Sequence, residues 1–250
     1  MQRWSADADT PTDTPRTRPI PALAVSRLGV VGTDNGVGKT VVASAIIAAL
    51  REAGVRVAPM KPIGSRSADD AARMRAACGI AFPMHLVQPL QFADTVAPLV
   101  AARRARAPVD VSSLDQAFAE LCTLSDAVVV ESSGGLLTPI TETENFATLF
   151  RRWGLDIVVV SPNGDAAVNH ALMTIQVAQA AGLRVRAVVL TTLSRARAGT
   201  AGRTNQAVLK ELLLTIPVLS FPYTNSPGDP RQLMALAREL SAHPTITRPA

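Results

Sequence analysis

The chain has few aromatic residues, few cysteines and no long apolar run. Aromatic residues make up 4% of its 250 residues, too few for the stacking platforms that many single-strand nucleic-acid binders use. Cys78 and Cys122 lie far apart without CxxC or Cys/His spacing, so neither a disulfide framework nor a zinc site is indicated. No stretch reaches the roughly 18 apolar residues of a membrane span. We therefore expect neither a nucleic-acid nor a membrane partner.

The first residues lack the apolar segment of a secretory signal. Residues 1–24 are instead rich in proline, threonine and aspartate, which predicts a disordered leader. Residues 25–250 are predicted to form a single domain, because no interdomain linker is evident. A cytoplasmic protein with reduced thiols is the simplest interpretation.

Lysine is scarce although the chain is basic. The net charge is +5, yet only three lysines occur, at positions 39, 61 and 210. The arginines are spread along the chain, with basic groupings only at 103–106 and 195–203. A general arginine bias explains these groupings better than a nucleic-acid surface does. A lysine inside a motif is correspondingly informative.

Apolar stretches alternate with helical patterns along the chain. Six stretches rich in β-branched residues predict buried strands, at 27–32, 55–60, 126–132, 155–161, 185–192 and 216–221. Helical patterns lie between them, at 40–54, 112–124, 165–182 and 204–213. This alternation predicts an α/β fold with a mostly parallel sheet wrapped by helices, in three layers.

A glycine-rich segment, GTDNGVGKT, joins the first predicted strand to the first predicted helix. This position turns backbone amides toward a polyphosphate, as in the phosphate loop of P-loop NTPases. The residues expected to bind nucleotide are Asp34, Asn35, Gly36, Val37, Gly38, Lys39 and Thr40. The strict pattern GxxxxGK[ST] has glycine where this chain has Thr33, and Gly32 stands one place earlier. The alternative is an ordinary glycine turn before a helix.

The loop's contribution to the nucleotide site ends at Thr40. A second threonine at position 41 would extend the set of hydroxyl donors, but residue 41 is Val41. No hydroxyl from position 41 is therefore available, and the only further residue expected to contact the nucleotide is Glu131.

Two further clusters follow predicted strands. In KPIGS, Lys61 and Ser65 come after the second strand, where parallel sheets place their active sites; a surface lysine is the alternative. Asp69 and Asp70 follow and either begin a helix or bind a metal. In VVVESSGG, Glu131 is a carboxylate at the tip of a buried strand, which is costly unless it is paired or metal-bound. Together with the Thr40 hydroxyl it suggests a Mg²⁺ site.

These motifs occur together in one order. GTDNGVGKT, KPIGS, an aspartate, VESSGG with TPI, and NHALMT make the chain resemble the dethiobiotin synthetase family from about residue 28 to 222. The resemblance implies an ATP-dependent ligase of biotin biosynthesis that acts as a homodimer. Such enzymes carboxylate 7,8-diaminononanoate with CO₂ derived from bicarbonate. They then close a ureido ring through a carbamic-phosphoric anhydride.

The resemblance also implies roles for individual residues. Thr40, Asp70 and Glu131 match the magnesium ligands, and Asp70 is preferred to Asp69 because DAARM fits the family pattern. The residues expected to serve catalysis are Lys39, Lys61 and Thr33. Lys61 and Ser65 would bind the carbamate and γ-phosphate, and Asn169 would bind the substrate carboxylate across a dimer interface. For His170 we expect only a capping or core role.

Two alternatives stay open on the sequence. One is a related P-loop ATPase that acts on another carboxylate or diamine, although the chain has no room for a glutaminase domain. The other is a non-enzymatic nucleotide switch, which the basic charge would favour. Asp34 stands where partitioning ATPases carry a second loop lysine, which argues against that class. Thr191 and Thr192 stand where the family has an Asn-Asp pair that reads adenine.

Overall fold

A computed structural model describes residues 27–65, 69–193, 200–221 and 223. The predicted leader at 1–24 lies outside these residues, as does most of the basic segment at 195–203. Within the described ranges, no helix has the length and apolar character needed to cross a membrane.

Strands and helices alternate as the sequence predicts. The strands are β1 Arg27–Gly32, β2 Val57–Met60, β3 Ile63–Ser65, β4 Leu90–Phe92, β5 Ala127–Glu131, β6 Asp156–Pro162, β7 Val185–Thr191 and β8 Val218–Phe221. The helices are α1 Lys39–Glu52, α2 Asp70–Cys78, α3 Met84–Val87, α4 Pro98–Ala105, α5 Val111–Leu124, α6 Phe146–Arg152, α7 Ala167–Ala180 and α8 Thr200–Leu212. The six predicted strands correspond to β1, β2, β5, β6, β7 and β8.

The six long strands form one parallel sheet in the order β2-β5-β1-β6-β7-β8. Their central residues are buried on both faces, because helices cover each side of a parallel sheet. The chain moves from β1 to one side for β2 and β5, and then to the other side for β6. This change of direction opens a crevice at the carboxyl ends of the strands, where α/β folds bind ligands.

The two ends of the sheet differ in their chemistry. The strands begin at one rim, where Asp156 of β6 accepts from Arg184 at 3.1 Å and from Arg186 at 2.6 Å. They end at the other rim, beside a second, two-stranded sheet formed by β3 and β4. The phosphate loop and the segments KPIGS and VESSGG all lie near the second rim.

Candidate active site

The phosphate loop turns sharply between β1 and α1. A side chain at Gly32 would place its Cβ 2.5 Å from the Asp34 carbonyl oxygen, so this position requires glycine. Gly32 therefore makes the tight turn, and the glycine missing at Thr33 is not needed for it. Gly38 begins α1 with φ of 94°, a left-handed conformation that favours glycine. The variant motif thus forms a strand, loop and helix in the expected order.

Position 41 contributes no polar group to this loop. Residue 41 is Val41, in the first turn of α1, so no threonine hydroxyl follows Thr40. Val41 is partly buried, packs against the hydrophobic core and borders a cavity of about 680 Å³. A valine side chain has neither a donor nor an acceptor, so it offers no group to bind a nucleotide or a metal ion.

Lys39 folds back over the phosphate loop. Its Nζ donates to the Asp34 carbonyl oxygen at 2.9 Å, and the side chain is buried. Burial, together with the nearby Lys61 ammonium, lowers the pKa of Lys39 to about 8 against the attraction of Glu131 and Asp70. The loop therefore holds a cation that loses its proton easily.

Strands β2 and β5 place Lys61 beside Glu131. Met60 pairs with Val130 in the register of these strands, so the next residue of each chain segment emerges at the same level. Lys61 Nζ lies 2.6 Å from Glu131 Oε1 and 3.3 Å from the Ser132 carbonyl oxygen. Both side chains are buried, Lys61 to 5% and Glu131 to 1% exposure. Lys61 is thus a buried cation rather than a surface lysine.

Helix α2 brings Asp70 to the same point. Asp70 Oδ2 lies 3.2 Å from Lys61 Nζ. Thr40 Oγ1 lies 3.0 Å from Asp70 Oδ1 and 3.0 Å from Glu131 Oε1. Asp69 instead pairs with Arg73 on the exposed side of α2. The structure therefore groups Thr40, Lys61, Asp70 and Glu131, and leaves Asp69 out.

The two carboxylates of this group respond differently to their surroundings. Burial raises the pKa of Glu131, and the Lys61 ammonium only partly offsets this effect. Burial also raises the pKa of Asp70, but Lys61 and the hydrogen bond from Thr40 outweigh it, so the net shift is downward. Asp70 is consequently the more firmly ionised of the two.

The same group has the donors that a magnesium ion requires. Glu131 Oε2 is buried and has no hydrogen-bond partner among the described residues, which is costly for a carboxylate oxygen unless a ligand completes it. The described residues contain no cluster of three or more His, Cys, Asp or Glu side chains. Two carboxylates and a hydroxyl nevertheless fit Mg²⁺, which is held by one or two carboxylates together with water and phosphate oxygens. The residues present therefore fit this ion.

A cavity of about 680 Å³ opens above this group. Its polar floor is formed by the phosphate loop, Lys61, Asp70 and Glu131, and Ser65 of β3 lies on its wall. Its other wall is more apolar and comes from Phe92 and from residues 94–98 before and at the start of α4. The cavity can hold a charged group at one end and hydrocarbon at the other.

A second cavity of about 390 Å³ lies on the other side of the loop. Thr33, Asp34 and Asn35 line it, together with Met173 of α7. Thr33 Oγ1 lies 3.4 Å from Ser161 Oγ. Thr33 therefore faces this second cavity, whereas Lys61 and Ser65 face the first.

Asn169 lines neither cavity but contacts Met173, which lines the smaller one. It is exposed on α7, and its Nδ2 lies 3.4 Å from Met173 Sδ. His170 is also exposed on α7, where Ala166 is the N-cap residue. The expectation of a capping or core role for His170 is therefore wrong.

One residue missed by the sequence analysis joins the two cavities. Thr138 borders both of them, and its Oγ1 accepts from the Gly135 amide at 3.0 Å. The TPI segment that contains it is visible in the sequence only as a turn. Ser133 was also missed; its hydroxyl donates to the Ile63 carbonyl oxygen and ties the loop after β5 to β3.

Comparison with known proteins places the chain among nucleotide-binding enzymes. The AAA domain family matches residues 26–224, which include every residue of the site just described.

Curated relatives agree on one activity. The ATP-dependent dethiobiotin synthetase of Anaeromyxobacter sp. is 41% identical over 167 residues, covering 65% of this chain and 75% of that protein. The synthetase of Ralstonia nicotianae is 35% identical, covering 62% and 72%. That of Thermodesulfovibrio yellowstonii is 30% identical over 210 residues, covering 78% and 87%. The chain belongs to the ATP-dependent dethiobiotin synthetase family.

Proposed function

We propose that this protein makes dethiobiotin from 7,8-diaminononanoate, CO₂ and ATP. One amine attacks CO₂ and loses a proton, which gives a carbamate. A carbamate oxygen attacks the γ-phosphorus, and the bond from that phosphorus to ADP breaks. The second amine attacks the carbonyl carbon of the resulting anhydride, inorganic phosphate leaves, and the ureido ring closes with loss of a proton.

The observation that carries this proposal is the convergence of three separate motifs. Lys61 Nζ, from KPIGS, lies 3.2 Å from Asp70 Oδ2, from the segment after it, and 2.6 Å from Glu131 Oε1, from VESSGG. Thr40 of the phosphate loop joins them. An enzyme that transfers phosphoryl to a bound anion needs this concentration of charge beside its loop.

The phosphate loop would bind the nucleotide. Backbone amides at 34–38 and the start of α1 favour an anion there. Lys39 would leave the Asp34 carbonyl oxygen, which it contacts at 2.9 Å, and meet the β- and γ-phosphates. The same loop would thus exchange an internal contact for a contact with ATP.

Thr40, Asp70 and Glu131 would hold Mg²⁺. Their donors are a hydroxyl and two carboxylates, and the partnerless Glu131 Oε2 supports a further ligand at this point. When bound, the ion would neutralise charge on the phosphate oxygens.

Lys61, Ser65 and Thr33 would position the carbamate. Lys61 is held by two carboxylates in a buried position, so its ammonium is fixed close to where the γ-phosphate would lie. A fixed cation stabilises the charge that develops during transfer at little cost of reorganisation. Ser65 lies on the wall of the larger cavity and Thr33 on that of the smaller.

A homodimer would complete the substrate site. Leu137 is 61% and Met173 56% exposed, and both line the smaller cavity. Large apolar side chains exposed together often mark an interface. In such a dimer Asn169, at the amino end of α7, would meet the carboxylate of a substrate bound to the partner. A cytoplasmic location remains a prediction.

The test is an assay of phosphate release. We expect the purified protein to release phosphate from ATP only when both diaminononanoate and bicarbonate are present, and mass spectrometry to detect dethiobiotin in equal amount. Replacement of ATP by other triphosphates measures base preference. The proposal would be rejected if phosphate were released equally without diaminononanoate and bicarbonate, or only with a different diamine.

A further inference from the structure

The hydroxyl of Thr191, at the end of β7, is bonded to the phosphate loop. Thr191 Oγ1 donates to the Val37 carbonyl oxygen at 2.7 Å, and the Ser161 carbonyl oxygen lies 3.3 Å from the same atom. Because a hydroxyl has one hydrogen to donate, the shorter distance assigns it to Val37. Thr191 is 3% exposed, so water does not compete for this bond.

The methyl group of Thr191 packs against the same loop. A Cβ placed on Gly38 would lie 3.2 Å from Thr191 Cγ2, so the two residues are in close contact. Gly38 is the N-cap of α1 and has φ of 94°. Thr191 therefore contacts the loop through both branches of its side chain, at the peptide that leads into the helix.

This contact orients the peptide between Val37 and Gly38. In a planar trans peptide the carbonyl and the following N–H point in opposite directions, and the described residues contain no cis peptide. With the Val37 carbonyl held toward Thr191, the Gly38 N–H points away from it. Gly38 lines the larger cavity, in which the phosphates would lie.

We propose that Thr191 is a positioning residue for the polyphosphate. It fixes the peptide whose N–H faces the phosphates, so its contribution is independent of the base. In this chain, therefore, the position at which the family carries an adenine-reading residue serves the phosphate end of the nucleotide. The inference rests on the proposed function only in that the loop binds a triphosphate.

Binding measurements with and without a base test this inference. We would measure the dissociation constants of ATP, GTP and inorganic tripolyphosphate by calorimetry for the wild type, Thr191→Val and Thr191→Ser. Valine keeps the shape but removes the donor, so we expect all three ligands to bind about tenfold more weakly, the scale of one lost buried hydrogen bond. Serine keeps the donor, so its affinities should stay close to those of the wild type.

Thr123→Val is the matched control. Thr123 is exposed on α5, and its hydroxyl donates to the Glu120 carbonyl oxygen at 2.7 Å, so the same chemical change there should leave all three affinities unchanged. Melting temperatures of the unliganded variants show whether each protein is folded. If Thr191→Val does not fold, Thr191→Ala, which also lacks the donor, decides: weaker binding of all three ligands with wild-type affinity in Thr191→Ser supports the inference, and wild-type affinity in Thr191→Ala overturns it.

Two outcomes overturn the inference directly. A loss for ATP with tripolyphosphate unaffected would mean that Thr191 reads the base, and unchanged affinity for all three ligands would mean that it does not position the loop. Neither outcome depends on turnover. If the wild type binds tripolyphosphate but releases no phosphate with diaminononanoate and bicarbonate, the proposed function fails while this test still stands.

Discussion

Lys61 is shared by two carboxylates in a buried site. Its Nζ contacts Glu131 at 2.6 Å and Asp70 at 3.2 Å, so both acids depend on the same ammonium for an ion pair. Removing one member of a buried charge group is more damaging than removing an exposed charge, because the remaining charges lose their partner. Single substitutions here should therefore alter both chemistry and local electrostatics.

Replacement of Lys61 by alanine should abolish most activity. We expect the rate of diaminononanoate-dependent phosphate release to fall at least about a hundredfold, the effect of losing one fixed charge-stabilising donor. Lys210→Ala is the matched control, because Lys210 is exposed on α8, and it should keep wild-type activity. Full activity in Lys61→Ala, measured on folded protein, would contradict the mechanism.

The lowered pKa of Lys39 should make nucleotide binding depend on pH. Burial and the neighbouring Lys61 hold this pKa near 8, and phosphate favours the protonated lysine. ATP affinity should therefore be highest near about pH 7, where the phosphates are ionised, and fall as the pH rises through about 8. Calorimetry across this range measures the change.

Lys39→Arg provides the control for this pH dependence. A guanidinium stays charged throughout the range, so the affinity of this variant should be flat with pH even if its absolute value differs. An equal decline in wild type and Lys39→Arg would show that another group is responsible.

At the scale of elements, helix α6 fixes the loop that separates the two cavities. Asn145 caps α6 and pairs with Pro139 in an isolated bridge, and the Ile140 amide donates to the Glu144 carbonyl oxygen at 2.8 Å. Arg152 near the other end of α6 contacts Glu144 at 2.6 Å. The helix and the loop thus support each other, which keeps Thr138 between the cavities.

Glu144→Gln should destabilise the protein in a pH-dependent way. Burial raises the pKa of Glu144, but hydrogen bonds from Thr148 and Arg152 outweigh it, and the net shift is downward. A carboxyl whose pKa is lower when folded stabilises the fold above its unfolded pKa of about 4.3; this contribution is lost as the pH falls through the folded pKa. We expect a loss of about 0.5–1 kcal/mol at pH 7 that shrinks below about pH 4.

Denaturant unfolding of Glu144→Gln and Glu142→Gln measures this effect. Glu142 also contacts an arginine, Arg103, but both side chains are largely exposed, so its replacement should change stability less. A loss for Glu144→Gln that is equally large in acid would show that the carboxylate charge is not its cause.

Elements of the central sheet could be predicted from the sequence, and the smaller ones could not. The long strands are continuous apolar runs that only a doubly covered sheet accommodates. Strands β3 and β4 have three residues each, too few for a periodic pattern. Helix α3 has four residues and α6 has seven, so the apolar pattern of each spans about two turns or fewer.

The membership of the site could be anticipated, but its contacts could not. Residue types and their positions after strands indicate Lys61 and Glu131, whereas Asp70 is preferred to Asp69 only through the family resemblance. The direct contact between Lys61 and Glu131 exists because β2 lies next to β5 with Met60 opposite Val130. Strand order and register cannot be predicted from a local stretch of sequence. The bond from Thr191 to the phosphate loop spans 154 positions and had no local signal.

For the whole molecule, the fold should not depend on the predicted leader. The described residues contain a continuous hydrophobic core, and the sequence of residues 1–24 offers little to bury. Deletion of residues 1–24 should therefore leave the melting temperature and the rate of phosphate release unchanged. A markedly lower melting temperature would assign the leader a structural role.

Because every long strand runs the same way, the proposed site lies at a single rim of the sheet. The opposite rim carries the Asp156 ion pairs and two tight turns, at Gly154 and Gly182, that precede β6 and β7. These turns offer attachment points remote from the proposed ATP site. A fluorophore or an affinity handle grafted there would report on the enzyme without obstructing it.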